Sequence, residues 1–236
     1  AAAGVFAATY FVTGTWFDVG RVDSLFLALS IGGLYAVRNM RGTTGAVVAG
    51  LLLAGAALTK QTGLAEGVAV LVVLLAGPRR RLAWIAAAVE FAIFGATTVA
   101  LRVASGGWYT YYVFKQMSEH ALTVSNFGWF FTLLLTAMGL AAFAALLAAR
   151  RVPVVLLAGS LALAVEGGAT LVHSGGSVND VLPAYLAVAL LAGLALGGLS
   201  PVGRVPGDLA SGAPTVMGRA LRGRALIGRV LAGRGW

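Results

Sequence analysis

The sequence contains no cysteine, so neither a disulfide nor thiolate chemistry is available to it. It has two histidines and no cysteine partner for them, which excludes the His/Cys clusters of zinc sites. It has no phosphate-binding Gly-rich loop ending in Lys-Ser/Thr and no Gly-x-Ser-x-Gly elbow, so neither a P-loop nucleotidase nor a serine hydrolase of that type is indicated. Charge is scarcest of all. Only 11% of the 236 residues are charged, against about 25% in a soluble domain. Eight are acidic, and an acid in so oily a chain needs a reason for its position.

What remains is hydrocarbon. The chain is 59% hydrophobic with a mean hydropathy of +0.91. It reads as an integral membrane protein, and the useful count is of spans rather than domains. Apolar runs cover residues 1–15, 24–37, 43–58, 64–77, 82–103, 127–149, 153–172 and 181–199. A span needs roughly 17–25 apolar residues, and several of these runs fall short. The expected architecture is an all-α, polytopic bundle of about eight transmembrane helices over residues 1–199, followed by a basic tail over 200–236.

The polar break Thr59-Lys60-Gln61-Thr62-Gly63 decides the topology. Were 43–77 one helix, the cluster Arg79-Arg80-Arg81 would lie opposite Arg38 and Arg41. With a turn at Lys60 the two clusters share a side. That side then carries thirteen of the 17 basic residues: Arg38, Arg41, Arg79–Arg81, Arg150, Arg151 and the six tail arginines. The positive-inside rule assigns it to the cytoplasm. The other side carries only Arg21, Lys60, Arg102 and Lys115 among the bases. It also collects most of the other polar chemistry. The net charge of +9 therefore reads as orientation in a bilayer and not as a nucleic-acid surface.

Four stretches on that outer side are candidates for function. In Trp16-Phe17-Asp18-Val19-Gly20-Arg21-Val22-Asp23, two carboxylates and one guanidinium fall within six positions. The carboxylates suit a base, a divalent cation or a sugar hydroxyl, and Arg21 suits a phosphate. Asp23 also stands where a helix begins, and capping that helix is its simplest role. Lys60, with Gln61, supplies a point charge for a lipid-linked phosphate, or else snorkels to the headgroups. The loop over 105–126 carries Trp108, Tyr109, Tyr111, Tyr112 and Phe114, an aromatic belt or a guide for a polyprenyl chain, with Glu119 and His120 beside it. The turn His173-Ser174-Gly175-Gly176-Ser177-Val178-Asn179-Asp180 lets backbone approach a ligand closely, and Asp180 is placed to cap the last helix. Glu66, Glu90 and Glu166 lie in or near apolar segments, where hydrogen bonds between helices are expected for most of them; lined along one path they would suggest proton coupling.

With these residues in view, the chain resembles the bacterial family-39-like glycosyltransferases of the GT-C superfamily. The resemblance rests on Trp16 to Phe26, on Leu58-Thr59-Lys60-Gln61-Thr62-Gly63, on Gly106 to Phe114 with His120, and on His173-Ser174-Gly175-Gly176 with Asn179 and Leu182-Pro183-Ala184. These occur in the family's order. The resemblance implies a bacterial plasma-membrane enzyme with an outward-facing site. It would transfer a sugar, with inversion, from a polyprenyl-phosphate donor to a lipid, glycan or protein acceptor. Asp23 would stand near the donor as a catalytic carboxylate with Asp18, and Lys60 would meet the carrier phosphate. Arg21, Gln61, Trp108, Tyr112, His120, His173 and Asn179 would bind substrate. No cofactor is required, although a divalent cation on Asp18 and Asp23 is compatible. The family's principal catalytic acid lies in a first outer loop ahead of the helices seen here, so the chain is expected to be N-terminally truncated and to lack that base. The alternatives are a secondary transporter or lipid-linked-sugar flippase, and a non-catalytic membrane subunit.

Overall fold

In a computed structural model, residues 1–14, 22–116 and 118–199 are described, and they are helical almost throughout. The Asp18 and Arg21 assignments and the basic tail over 200–236 lie outside the described residues. The elements are α1 (Ala2–Ala7), α2 (Val22–Asn39), α3 (Gly42–Thr59), α4 (Gly63–Leu75), α5 (Arg80–Ala104), α6 (Trp108–Thr110), α7 (Val124–Ala148), α8 (Val154–Val172) and α9 (Leu182–Leu199). α6 runs on as a wider π-type turn over Tyr111–Gln116, and a 3-10 turn over Val178–Val181 leads into α9.

Among the described residues, five segments are long and apolar enough to cross a bilayer: Gly42–Thr59, Arg80–Ala104, Val124–Leu147, Val154–Val172 and Val178–Gly197. The expected count of about eight is thus met only in part. α2 has the length but carries Asp23 and Arg38 near its two ends. α4 has 13 residues, about 20 Å of helix at ~1.5 Å per residue, against a hydrocarbon thickness of about 30 Å. The first apolar run does not form one helix over 1–15. α1 stops at Ala7 and turns follow to Gly14. There the hydroxyls of Thr9 and Thr13 donate to the carbonyls of Phe6 and Tyr10, three residues back, which tightens the turns.

The break at Lys60 is present. Lys60 has extended backbone (φ −144°, ψ 117°) and separates α3 from α4, so the chain reverses there. Successive helices then alternate in direction. One end of the bundle gathers Asp23, Lys60, the segment after α5, and the turn between α8 and α9. The other end gathers Arg38, Arg41, Arg79–Arg81 and Arg150. A contact across two turns fixes that second end: Arg79 Nη1 donates to the Arg38 carbonyl at 3.2 Å.

Packing follows from small residues. Along α3, Ala46, Ala49, Gly50 and Leu53 face α2 and α5 and are buried. A Cβ at Gly50 would fall 2.5 Å from the Ala86 carbonyl oxygen, so only glycine permits this approach. Tyr185 is fully buried in α9 and donates its hydroxyl to the Leu133 carbonyl at 3.1 Å. α7 bends at the buried Met138 (φ −136°, ψ 18°). Just before it, Thr132 and Thr136 return their hydroxyls to carbonyls four residues back, a recognised cause of bending. Large apolar side chains also cover the outside: Leu140, Leu146, Val165 and Trp84 are among the many exposed. Such a surface is matched by lipid and not by water.

Candidate functional site

At the end of the bundle away from the arginines, Lys60 is the centre. Its ammonium lies 3.4 Å from Asp23 Oδ1, 3.7 Å from Asp180 Oδ1 and 3.9 Å from Glu166 Oε1. It also stands 5.7 Å from the centre of the Phe26 ring, within cation–π range. The four charged groups come from α2, the α3–α4 turn, α8 and the turn before α9. Lys60 is mostly buried, at 14% side-chain exposure, so these contacts are only partly screened by solvent.

Each carboxylate is held by a further donor. Asn179, itself buried, donates from Nδ2 to Asp23 Oδ2 at 3.2 Å. Ser177 donates its hydroxyl to Asn179 Oδ1 and its backbone N–H to Asp180 Oδ2 at 2.9 Å. Ser177 and Asp180 close a reciprocal capping box on the 3-10 turn. Asp180 therefore caps this turn, and not α9 directly, while its other oxygen faces Lys60. Thr62 donates to Glu166 Oε1 at 2.6 Å. Three carboxylates thus share the Lys60 ammonium. Where a cation would sit between Asp23 and Asp180, the Lys60 ammonium stands, and no group of three or more acidic or histidine side chains with metal-binding geometry occurs among the described residues.

The two histidines build the rim. His120 Nδ1 lies 2.8 Å from the Ser174 carbonyl oxygen and His173 Nδ1 lies 3.3 Å from the His120 carbonyl oxygen. A carbonyl only accepts, so both Nδ1 atoms carry the proton, and in the neutral ring Nε2 is left as the acceptor. Ser174 N–H donates to the Ala121 carbonyl, Thr123 N–H donates to the Val172 carbonyl, and Leu122 pairs antiparallel with His173. The polar loop after α6 is thereby stitched to the end of α8. Gly175 holds φ +89°, and a Cβ at Gly176 would fall 2.3 Å from the Leu171 carbonyl oxygen. The two glycines serve this tight turn.

These parts enclose a cavity of about 440 Å³. Lys60, Gln61, Thr62, His120, His173 and Asp180 supply its polar wall, and Val113, Phe114 and Ala169 an apolar one. A second space of about 490 Å³ lies between α4 and α8, lined by Ala65, Ala69, Leu161, Ala162, Val165 and Glu166. Thr62 and Ala169 line both. The chamber thus borders an apolar groove whose edges, Leu161 and Val165, are exposed on the bundle surface.

No family model, curated protein or solved structure matches the chain. The site therefore has to be read from its own residues.

Of the residues expected from the sequence, Lys60, Gln61, His120 and His173 line the chamber. Asp23 and Asn179 stand behind Lys60, and reach the chamber through it. Trp108 and Tyr112 do not join the chamber wall. They stack on each other at 5.7 Å between ring centres, and both are largely exposed. Glu119 is exposed and also outside the wall. Sequence reasoning missed Thr62 and the part played by Glu166, and weighed Asp180 only as a cap. The intramembrane position of Glu166 was the available signal. The expected bonds between helices are met for Glu166 through Thr62 and by Ser30 of α2 facing the Glu66 carboxyl, whereas Glu90, also buried, has no hydrogen-bond partner among the described residues. Ser30 lies beside Glu66, and Glu66 is within electrostatic reach of both Glu90 and Glu166.

Proposed function

We propose that this protein is a membrane glycosyltransferase that takes a sugar from a polyprenyl-phosphate carrier, of the GT-C type its sequence resembles. One observation carries the reading: the chamber with its polar residues adjoins the apolar groove between α4 and α8, and Thr62 and Ala169 line both. A ligand that fills such a space has a polar head and a long hydrocarbon tail. Lys60, in the chamber wall, would meet the carrier phosphate. The Lys60 charge helps the carrier phosphate depart as an acceptor hydroxyl attacks the anomeric carbon and the bond to the phosphate oxygen breaks. Asp23 and Glu166 hold Lys60 in place from behind. Asp180, His120 and His173 meet the sugar hydroxyls. Asp18 and Arg21 remain assigned to the donor, and a divalent cation on Asp18 and Asp23 remains compatible with the carbohydrate chemistry. The cluster faces the outer side of a bacterial plasma membrane if its arginine-rich end is cytoplasmic.

A second reading is favoured by the buried Glu66 and Glu90, since Glu66 lies within electrostatic reach of both Glu166 and Glu90. Buried acids on a path through a bundle suit a proton-coupled transporter or a flippase for the same lipid. Proteoliposomes separate the two. Transfer of labelled sugar from a polyprenyl-phosphate donor, reduced in Asp23→Asn and Lys60→Ala, supports the enzyme. Unchanged turnover in both variants removes the site assignment. Movement of intact donor across the bilayer without its cleavage supports the flippase.

A further inference from the structure

The arginine end of the bundle holds a second kind of site. A cavity of about 320 Å³ lies between α2, α8 and α9, at the small end of the range for ligand pockets, roughly 300–1,000 Å³. Its walls are apolar, with Ile31, Leu34, Leu156 and Leu190 the main contributors. It is not apolar throughout. Tyr35 and Arg38, from the last turns of α2, also line it, and both are exposed. Among the described residues, no carboxylate lies within 4 Å of the side chains of Arg38, Arg41 or Arg79–Arg81. The Arg38 carbonyl is meanwhile gripped by Arg79, which brings the Arg79–Arg81 turn alongside the end of α2. The Arg38 side chain therefore stands in the wall of an apolar cavity without an acidic partner, with the Arg79 guanidinium on its backbone carbonyl.

We propose that this cavity holds one anionic phospholipid, with an acyl chain between α2, α8 and α9 and its phosphate on Arg38, supported by Arg79. The charge argues for an anionic lipid over a zwitterionic one. A guanidinium binds a phosphate through two parallel hydrogen bonds, and neighbouring arginines without acids favour a headgroup with net negative charge. The apolar walls argue for a lipid over a soluble anion. The site is separate from the carrier-lipid groove: it shares none of its lining residues, and on α8 it uses Leu156 and Ser160 where the groove uses Leu161, Ala162 and Val165.

The test is native mass spectrometry of the purified full chain after reconstitution with phosphatidylglycerol or with phosphatidylcholine, counting lipids retained. One phosphatidylglycerol per chain is expected, with phosphatidylcholine held much less. Arg38→Gln should lower retention on the order of fivefold, the effect of about one basic contact at a membrane surface. Arg150→Gln, at the same end but not in the cavity wall, should leave retention unchanged and so serves as the control for diffuse charge. Leu190→Trp should fill the cavity and lower retention, and Ile31→Trp at its partly exposed edge repeats that test should the first variant fail to fold. Equal losses in Arg38→Gln and Arg150→Gln, full retention in a folded cavity-filling variant, or equal retention of both lipids would overturn the proposal. So would a lipid-free dimer with this face buried.

Discussion

The most exacting prediction concerns Lys60. Replacing it with Met keeps the length of the side chain and removes its charge. Glu166, about 4% exposed, and Asp180 then lose the ammonium that they share with Asp23. A unit charge pair at 4 Å contributes about 4 kcal/mol at an effective dielectric constant of about 20. Removing one partner of a buried pair costs about 3–5 kcal/mol, because the other charges stay buried and uncompensated. That is a large part of a typical stability of about 5–15 kcal/mol. Lys60→Met should therefore lower the unfolding free energy in detergent by about 3–5 kcal/mol. Lys115→Met is the control, since Lys115 is exposed and faces only the Tyr111 ring, and it should shift stability by less than about 0.5 kcal/mol. Adding Asp23→Asn to Lys60→Met should recover part of the loss, with a coupling of about 0.5–3 kcal/mol. The assay is denaturant unfolding followed by tryptophan fluorescence, with Lys60→Met, Asp23→Asn, their double variant and Lys115→Met in parallel. If Lys60→Met unfolded at the same denaturant concentration as Lys115→Met, the reasoning that Lys60 is the electrostatic keystone of this end would fail.

Other outcomes follow from single contacts. A Cβ at Gly67 would fall 2.0 Å from Glu90 Oε1, so Gly67→Ala should destabilise by about 1–3 kcal/mol through overpacking, and Glu90→Ala in the same chain should relieve it; thermal unfolding of the three variants decides. Gly175 holds a left-handed backbone, so Gly175→Ala should cost about 1–2 kcal/mol and expose the turn to protease, read by limited proteolysis. His120→Ala removes the bond to the Ser174 carbonyl, worth about 0.5–1.5 kcal/mol, and hydrogen exchange should rise over residues 118–123 while α3 is unchanged.

Much of the scaffold was legible in the sequence. Apolar runs ended by Arg38, by Arg79–Arg81 and by Arg150 mark helix ends to within a few residues, because a charge at the edge of the hydrocarbon is a strong local signal. The reversal at Lys60 was legible from the same arginines, since only a turn there puts them on one side. Three things were not legible. The first run, over residues 1–15, is apolar enough for a helix, but Thr9 and Thr13 offer the backbone local hydrogen bonds instead. The partners of Lys60 could not be read from periodicity. Asp23 is 37 residues away, Thr62 reaches Glu166 across 104, and Asn179 reaches Asp23 across 156. Such contacts arise from how helices return to one end, and hydropathy does not encode which helices become neighbours. Last, Trp108 and Tyr112 sit in a segment rich in aromatics, yet the stack they form faces outward while Phe114, two residues on, turns to the chamber. The wider π-type turn shifts the face each residue presents, which a 3.6-residue period does not anticipate.

The claim that matters most is that one lipid-linked substrate occupies the polar chamber and the α4–α8 groove together. A photoreactive side chain at Ala162, in the groove wall, tests it directly in reconstituted full-length protein supplied with a radiolabelled polyprenyl-phosphate sugar. The account predicts a labelled adduct after illumination. It also predicts that the adduct is lost in Lys60→Ala, at the other end of the ligand, and persists in Lys115→Met. An adduct indifferent to Lys60, or no adduct at Ala162 while the protein still turns the donor over, would contradict it.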